Sequence, residues 1–118
     1  MILEAIYGFG EIPPNTLNVR FSFTLTPQPA RILEVHAHGA PSTNFDVAIF
    51  QREDYDPLHK VYEWIAGNLE FHDIIYPAIA LIHNEKRYIY FLVSNNDSAN
   101  PCRLRVRLVY EPAEAGRA

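Results

Sequence analysis

The nine residues Leu17-Asn18-Val19-Arg20-Phe21-Ser22-Phe23-Thr24-Leu25 alternate apolar and polar without a break. A period of two puts Leu17, Val19, Phe21, Phe23 and Leu25 on one face of an extended strand, with the polar residues on the other. A helix would scatter the same apolar positions around its axis and bury none of them well. The alternation returns in Leu33-Glu34-Val35-His36-Ala37-His38, after the proline-bearing Thr26-Pro27-Gln28-Pro29, and stops at Gly39. These two runs are read as an antiparallel pair. A third strand follows in Phe45-Asp46-Val47-Ala48-Ile49-Phe50-Gln51, with Phe45, Val47 and Ile49 inward and Asp46 outward.

Beyond Arg52 the pattern loosens. Arg52 to Pro57 reads as a loop, and Val61-Tyr62-Glu63-Trp64-Ile65 fits a strand or a short helical turn equally. The apolar runs Ala78 to Ile82 and Tyr88 to Val93, separated by the polar turn His83-Asn84-Glu85-Lys86, read as a hairpin buried on both faces. Turn-forming residues crowd Ser94 to Pro101, and Arg103 to Tyr110 alternates again. Asn96-Asp97-Ser98, formally a glycosylation acceptor, is read as part of that turn. With Met1 to Tyr7 as a further candidate, about seven to eight short strands and no amphipathic helix predict an all-β chain, a jelly-roll or related antiparallel β-sandwich. The expected division is an N-terminal arm or first strand over 1–11, a sandwich over 12–110 and a tail over 111–118.

At 118 residues the chain is the size of one domain, large enough to bury a core without a metal or disulfide. Ten basic against fourteen acidic residues leave a net charge of −4, which argues against a nucleic-acid partner. The single cysteine, Cys102, has no partner within the chain for a disulfide. The opening residues lack the basic and long apolar segments of a signal peptide, and no window approaches the ~20 apolar residues of a membrane span. Synthesis in the cytoplasm, with no membrane partner and no secretion by a signal peptide, is the expectation.

Few residues announce chemistry. His36 and His38, two apart on a strand, share a face and are spaced to meet one metal ion, but residues 39–43 supply no carboxylate for a third ligand. The pair is therefore read as solvent-facing beside Glu34, and no metal or cofactor is assigned. Glu53, Asp54 and Asp56 crowd one loop without the glycine and terminal glutamate of a calcium loop, and are read as a solvated acidic loop. Arg103, Arg105 and Arg107 form a one-sided row that suits either cross-strand pairing or a grip on an acidic neighbour. Nothing resembles a nucleophile elbow or a phosphate-binding glycine loop, so an enzyme is not expected. Tyr55, Tyr62 and Trp64, with Asp54 and Asp56 as hydroxyl acceptors, make a candidate sugar platform, and Trp64 is the preferred surface anchor.

Asn44 to Phe50, Tyr88 to Asn95 and Arg103 to Leu108 resemble strands of pre-peptidase C-terminal-like and galactose-binding-like jelly rolls. By size and architecture the chain is also similar to the small jelly-roll decoration (cement) and minor structural proteins of tailed bacteriophages. That resemblance implies a non-enzymatic structural protein of the virion, a homo-oligomer acting through contacts with protein subunits. The interface candidates are then the apolar opening Ile2, Leu3, Ile6, Tyr7 and Phe9, together with Trp64 and the row Arg103, Arg105 and Arg107. The alternative is a carbohydrate-binding β-sandwich module.

Overall fold

A computed structural model of the chain describes residues 1–81 and 87–113. It contains eight strands: β1 (Leu3–Ile12), β2 (Thr16–Thr24), β3 (Ala30–His38), β4 (Phe45–Phe50), β5 (Lys60–Gly67), β6 (Glu70–Leu81), β7 (Tyr88–Asn95) and β8 (Cys102–Pro112), with one 3-10 turn at Pro57–His59. They form two antiparallel four-stranded sheets in the orders β1-β8-β3-β6 and β2-β7-β4-β5. The first strand pairs with the eighth, the second with the seventh, the third with the sixth and the fourth with the fifth. A long two-stranded ribbon rolled up on itself has this pairing, which is the jelly-roll arrangement of two Greek keys.

The rolled ribbon corrects two sequence-based pairings. β2 and β3, expected side by side, lie in different sheets, and the segment carrying Pro27 and Pro29 crosses between them. Likewise Ala78–Leu81 belongs to β6 in the first sheet and Tyr88–Val93 to β7 in the second, so they form no hairpin. The expected turn His83–Lys86 and residues 114–118 of the expected tail lie outside the described residues. The ambiguous stretch 61–65 is strand, within β5.

The opening residues are a full strand. β1 pairs with β8 from Leu3 opposite Tyr110 to Ile12 opposite Cys102. Tyr7 and Phe9, expected at an interface, are instead buried between the sheets. Their rings meet Phe23 at 4.8 and 5.0 Å, and Phe9 also meets Phe21 at 4.8 Å and Phe91 at 5.0 Å. Aromatic residues of three strands thereby lock one sheet onto the other.

The inward alternation of β4 is as expected, with Phe45, Val47 and Ile49 fully buried. Leu17 departs from it and is 59% exposed. The register of β2 against β7 shifts between Thr16 and Val19, and Asn18 has φ 56°, so an extra residue at this bulge turns Leu17 outward. One end of the sandwich is closed by polar side chains. Fully buried Asn95 donates to the carbonyls of Ile12, Pro13 and Asn100 and accepts from Ser42 Oγ at 2.7 Å. Asp97 accepts from the backbone N–H groups of Thr43, Ala99 and Asn100. This is the turn read from Asn96-Asp97-Ser98.

Candidate functional site

The outer face of the β1-β8-β3-β6 sheet gathers most of the chain's unusual polar residues. Alternation along each strand turns outward Glu34, His36 and His38 of β3, Glu70 and His72 of β6, Arg103, Arg105 and Arg107 of β8, and Glu4 and Ile6 of β1. Register then decides who meets whom. His36 lies between His72 and Arg107, and His38 between Glu70 and Arg105. The imidazole centroids of His36 and His38 are 4.6 Å apart, and those of His36 and His72 are 5.0 Å apart. Glu70 Oε2 lies 3.2 Å from His38 Nδ1 and 3.6 Å from His36 Nε2. His72 Nε2 meets Glu34 Oε1 in a separate hydrogen bond.

Beside the histidines is a shallow depression of about 300 Å³ lined by Ile6, His36, His38, Arg105 and Arg107. Gly8 stands opposite Arg105 on β1 and sets no side chain against it. Arg107 reaches Glu4 with Nε at 2.7 Å and Nη2 at 3.4 Å. This contact holds the Glu4 carboxyl below its ordinary range and raises Arg107 further. Arg103 pairs with Glu11 at 3.0 Å. Cross-strand pairing therefore accounts for two members of the arginine row, whereas Arg105 makes no ion pair with a described residue.

The sugar platform is not assembled. Tyr62 is only 7% exposed, its hydroxyl donates to Asp73 Oδ2 at 3.1 Å, and burial pushes that hydroxyl well above the ordinary tyrosine range. Trp64, the expected surface anchor, is half-buried and stacks flat on Phe71 at 4.6 Å. Tyr55 lies elsewhere, on the outer face of the other sheet, against Phe50 and Tyr90 and beneath Arg20. Asp54 and Asp56 are spent locally. Asp54 Oδ1 accepts from Asp56 N–H and both its oxygens contact His59 Nδ1, while Asp56 accepts from Leu58 N–H and caps the 3-10 turn. Asp56 N–H first, then His59, lower the Asp54 carboxyl. Of the other interface candidates, Ile2 and Ile6 are exposed and Leu3 is half-buried against the core.

The sequence pattern assigns neither Glu70 nor His72 to a strand or a site. Glu70, His72, Ile74 and Tyr76 point outward from β6, whereas Asp73 turns inward to meet Tyr62. With apolar residues outside and a carboxylate inside, the strand shows no clean alternation. The usable signal was positional: Glu70-Phe71-His72 alternates polar and apolar around a residue large enough for a core.

Fold and site together define an all-β sandwich of jelly-roll order with a polar, histidine-bearing outer face. Among solved structures the chain is similar to one in the crystal structure of tomato aspermy virus, with 9% identity and TM-score 0.44 over 99% of this chain and 81% of that one. It is also similar to PliG of Aeromonas hydrophila, a periplasmic inhibitor of g-type lysozyme, with 8% identity and TM-score 0.40 over 94% of this chain and 85% of that one. No family model matches the sequence, and no curated protein matches it.

Proposed function

We propose that this chain is a non-enzymatic structural protein that works through contacts with other protein subunits, a virion decoration (cement) or minor structural protein with its own copies among the partners. The observation that carries this reading is the inverted strand β6. It is an edge strand of the first sheet, and it turns Ile74 and Tyr76 to solvent at 75% and 97% exposure. Leu58, Ile65 and Leu69, in the segment leading into it, are exposed as well. A chain gains nothing for its own stability from large apolar side chains held in water, and two of them on an edge strand suit an interface.

Burying Ile74 and Tyr76 on a neighbour would return about 1.5–3 kcal/mol each. Losing free translation and rotation costs about 4–15 kcal/mol, so the two alone do not hold a complex, and further exposed apolar residues such as Leu58, Ile65 and Leu69 would have to join the contact. Pro77 has no N–H to offer a new strand at the middle of this edge, which favours side-chain contact over simple sheet extension.

The test is molar mass by light scattering after size exclusion over a wide concentration range, for the native chain and for Ile74→Lys/Tyr76→Glu. Both positions are solvent-facing, so the double variant keeps the fold. An oligomer that the variant loses supports the reading; a native chain that remains monomeric at the highest concentration, or an oligomer that the variant retains, counts against it.

A further inference from the structure

We infer that His36, His38 and Glu70 form a binding site for one divalent transition-metal ion, of which Zn²⁺ is the best fit. This goes beyond the assembly reading and needs no second copy of the chain. The local sequence withheld a third ligand from the His36–His38 pair, and the fold supplies it from the neighbouring strand. Glu70 stands directly across from His38 in the β3–β6 register, and one donor atom from each of the three residues lies within 4.8 Å of the others.

The spacing suits tetrahedral coordination. With ligand bonds of about 2.0–2.1 Å, two donors on a tetrahedral ion sit about 3.3 Å apart. The two separations made by Glu70 Oε2, 3.2 and 3.6 Å, bracket that value. The donor set is two imidazoles and a carboxylate, which zinc accepts as three protein ligands with a fourth position left open. Two donors come from one strand and the third from its hydrogen-bonded neighbour, so the backbone of a sheet holds them in place rather than a loop.

The surrounding charges decide whether a cation is tolerated. Facing the three ligands are Arg105 and Arg107 from β8, Glu34 from β3, His72 from β6 and Glu4 from β1. Arg107 is neutralised by Glu4, and Glu34 is engaged by His72. With neutral histidines His72 leaves the charge of Glu34 in place, so Glu34 and Glu70 outweigh Arg105 and a cation meets no net positive field. Arg105 lines the depression beside His36 and His38, where it would favour an anionic or water ligand at the open position.

The experiment is calorimetric titration of the full, untagged chain with Zn²⁺, and with Co²⁺ to read its visible spectrum, alongside His36→Gln, His38→Gln, Glu70→Gln and the control His59→Gln. His59 belongs to the separate Asp54, Asp56 and His59 cluster. Expected are one ion per chain in the monomer fraction, a tetrahedral Co²⁺ spectrum, affinity about tenfold or more weaker in each of the three site variants, and no change in the control. Melting temperature should rise with Zn²⁺ in the native chain and not in Glu70→Gln. All substitutions are on the solvent-facing surface, and melting of the metal-free variants checks that they fold. Absence of saturable binding, affinity equal in native and site variants, loss in the control instead, or half an ion per chain with dimerisation would each overturn the inference.

Discussion

Gly39→Ala tests how the end of β3, and with it His38, is seated. A Cβ at Gly39 would lie 2.6 and 2.8 Å from Cε1 and Cζ of the Phe45 ring and 2.9 Å from Cys102 Sγ. Ordinary contact begins near 3.4 Å, and 3.4 less 2.6 leaves the ring about 0.8 Å too close. The ring has little room to retreat. Phe45 is fully buried, Phe71 packs beside it at 5.9 Å, and Gly67 closes another side so tightly that a Cβ there would sit 3.0 Å from Cζ. Two opposed effects set the outcome. Without a clash, replacing glycine by alanine would stabilise the fold by about 0.4–1 kcal/mol through the unfolded chain. Overpacking a closed core costs about 1–3 kcal/mol, and at this site the cost outweighs the gain. Taken together they leave a net cost of up to about 2.6 kcal/mol, and at about 4 °C per kcal/mol for a chain of this length the melting temperature should fall by up to roughly 10 °C. Urea unfolding of Gly39→Ala, Phe45→Leu and the double variant completes the measurement. In the double variant the alanine should cost about 1 kcal/mol less than it does alone, because leucine lacks the ring tip. A stabilised Gly39→Ala, or strict additivity, would refute the slot.

Other expectations follow from buried and hydrogen-bonded groups. Cys102 is fully buried and burial pushes its thiol up to about 12, so a thiol reagent at neutral pH should leave the native chain untouched and label one equivalent in denaturant. Three backbone N–H groups hold the Asp97 carboxyl far below its ordinary 3.8. Its stabilisation is therefore complete above pH 3.8 and is lost as pH falls through the lower folded value, so Asp97→Asn should be less stable at neutral pH, with a gap that closes in acid when urea midpoints are compared. Tyr7 and Tyr62 are raised above their ordinary 10.0 by burial. Stability should hold below pH 10 and fall above it, and tyrosinate absorbance should show these two hydroxyls ionising only as the chain unfolds.

The strands of this protein were largely legible and their partners were not. Val35 and Ala37 of β3 and Phe45, Val47 and Ile49 of β4 are buried as their alternation requires, because a period of two reports which side of a strand meets the core. It carries no information on which strand lies alongside. In a rolled ribbon the neighbours of β3 are β8 and β6, far along the chain, so neighbouring runs in sequence suggested the wrong pairs. The candidate site divides in the same way. That His36 and His38 share a face follows from two positions on one strand, whereas Glu70 reaches them only through the β3–β6 register. The inward Asp73, bound to Tyr62, masked the strand that carries it. Tyr7 and Phe9 were misplaced because apolar opening residues fit an arm and an edge strand alike, until pairing with β8 assigns them inward.

The nested pairing of the eight strands also orders events in time. β4 and β5 are the closest in sequence of the four ribbon pairs, joined by residues 51–59, while β1 and β8 lie at opposite ends of the chain. Closing a loop costs entropy that grows with its length, so the inner pair is the least expensive to form from an open chain. Once β4 and β5 have met, the span left between β3 and β6 is short, and each later pair starts from ends already drawn together. On this entropy argument the ribbon is expected to zip outward from its bend, with β1 docking on β8 last. A substitution that weakens the bend should slow folding, whereas one in β1 should chiefly hasten unfolding. Tyr7 and Phe9, which join β1 to the second sheet, would then act as the latch of a structure already rolled.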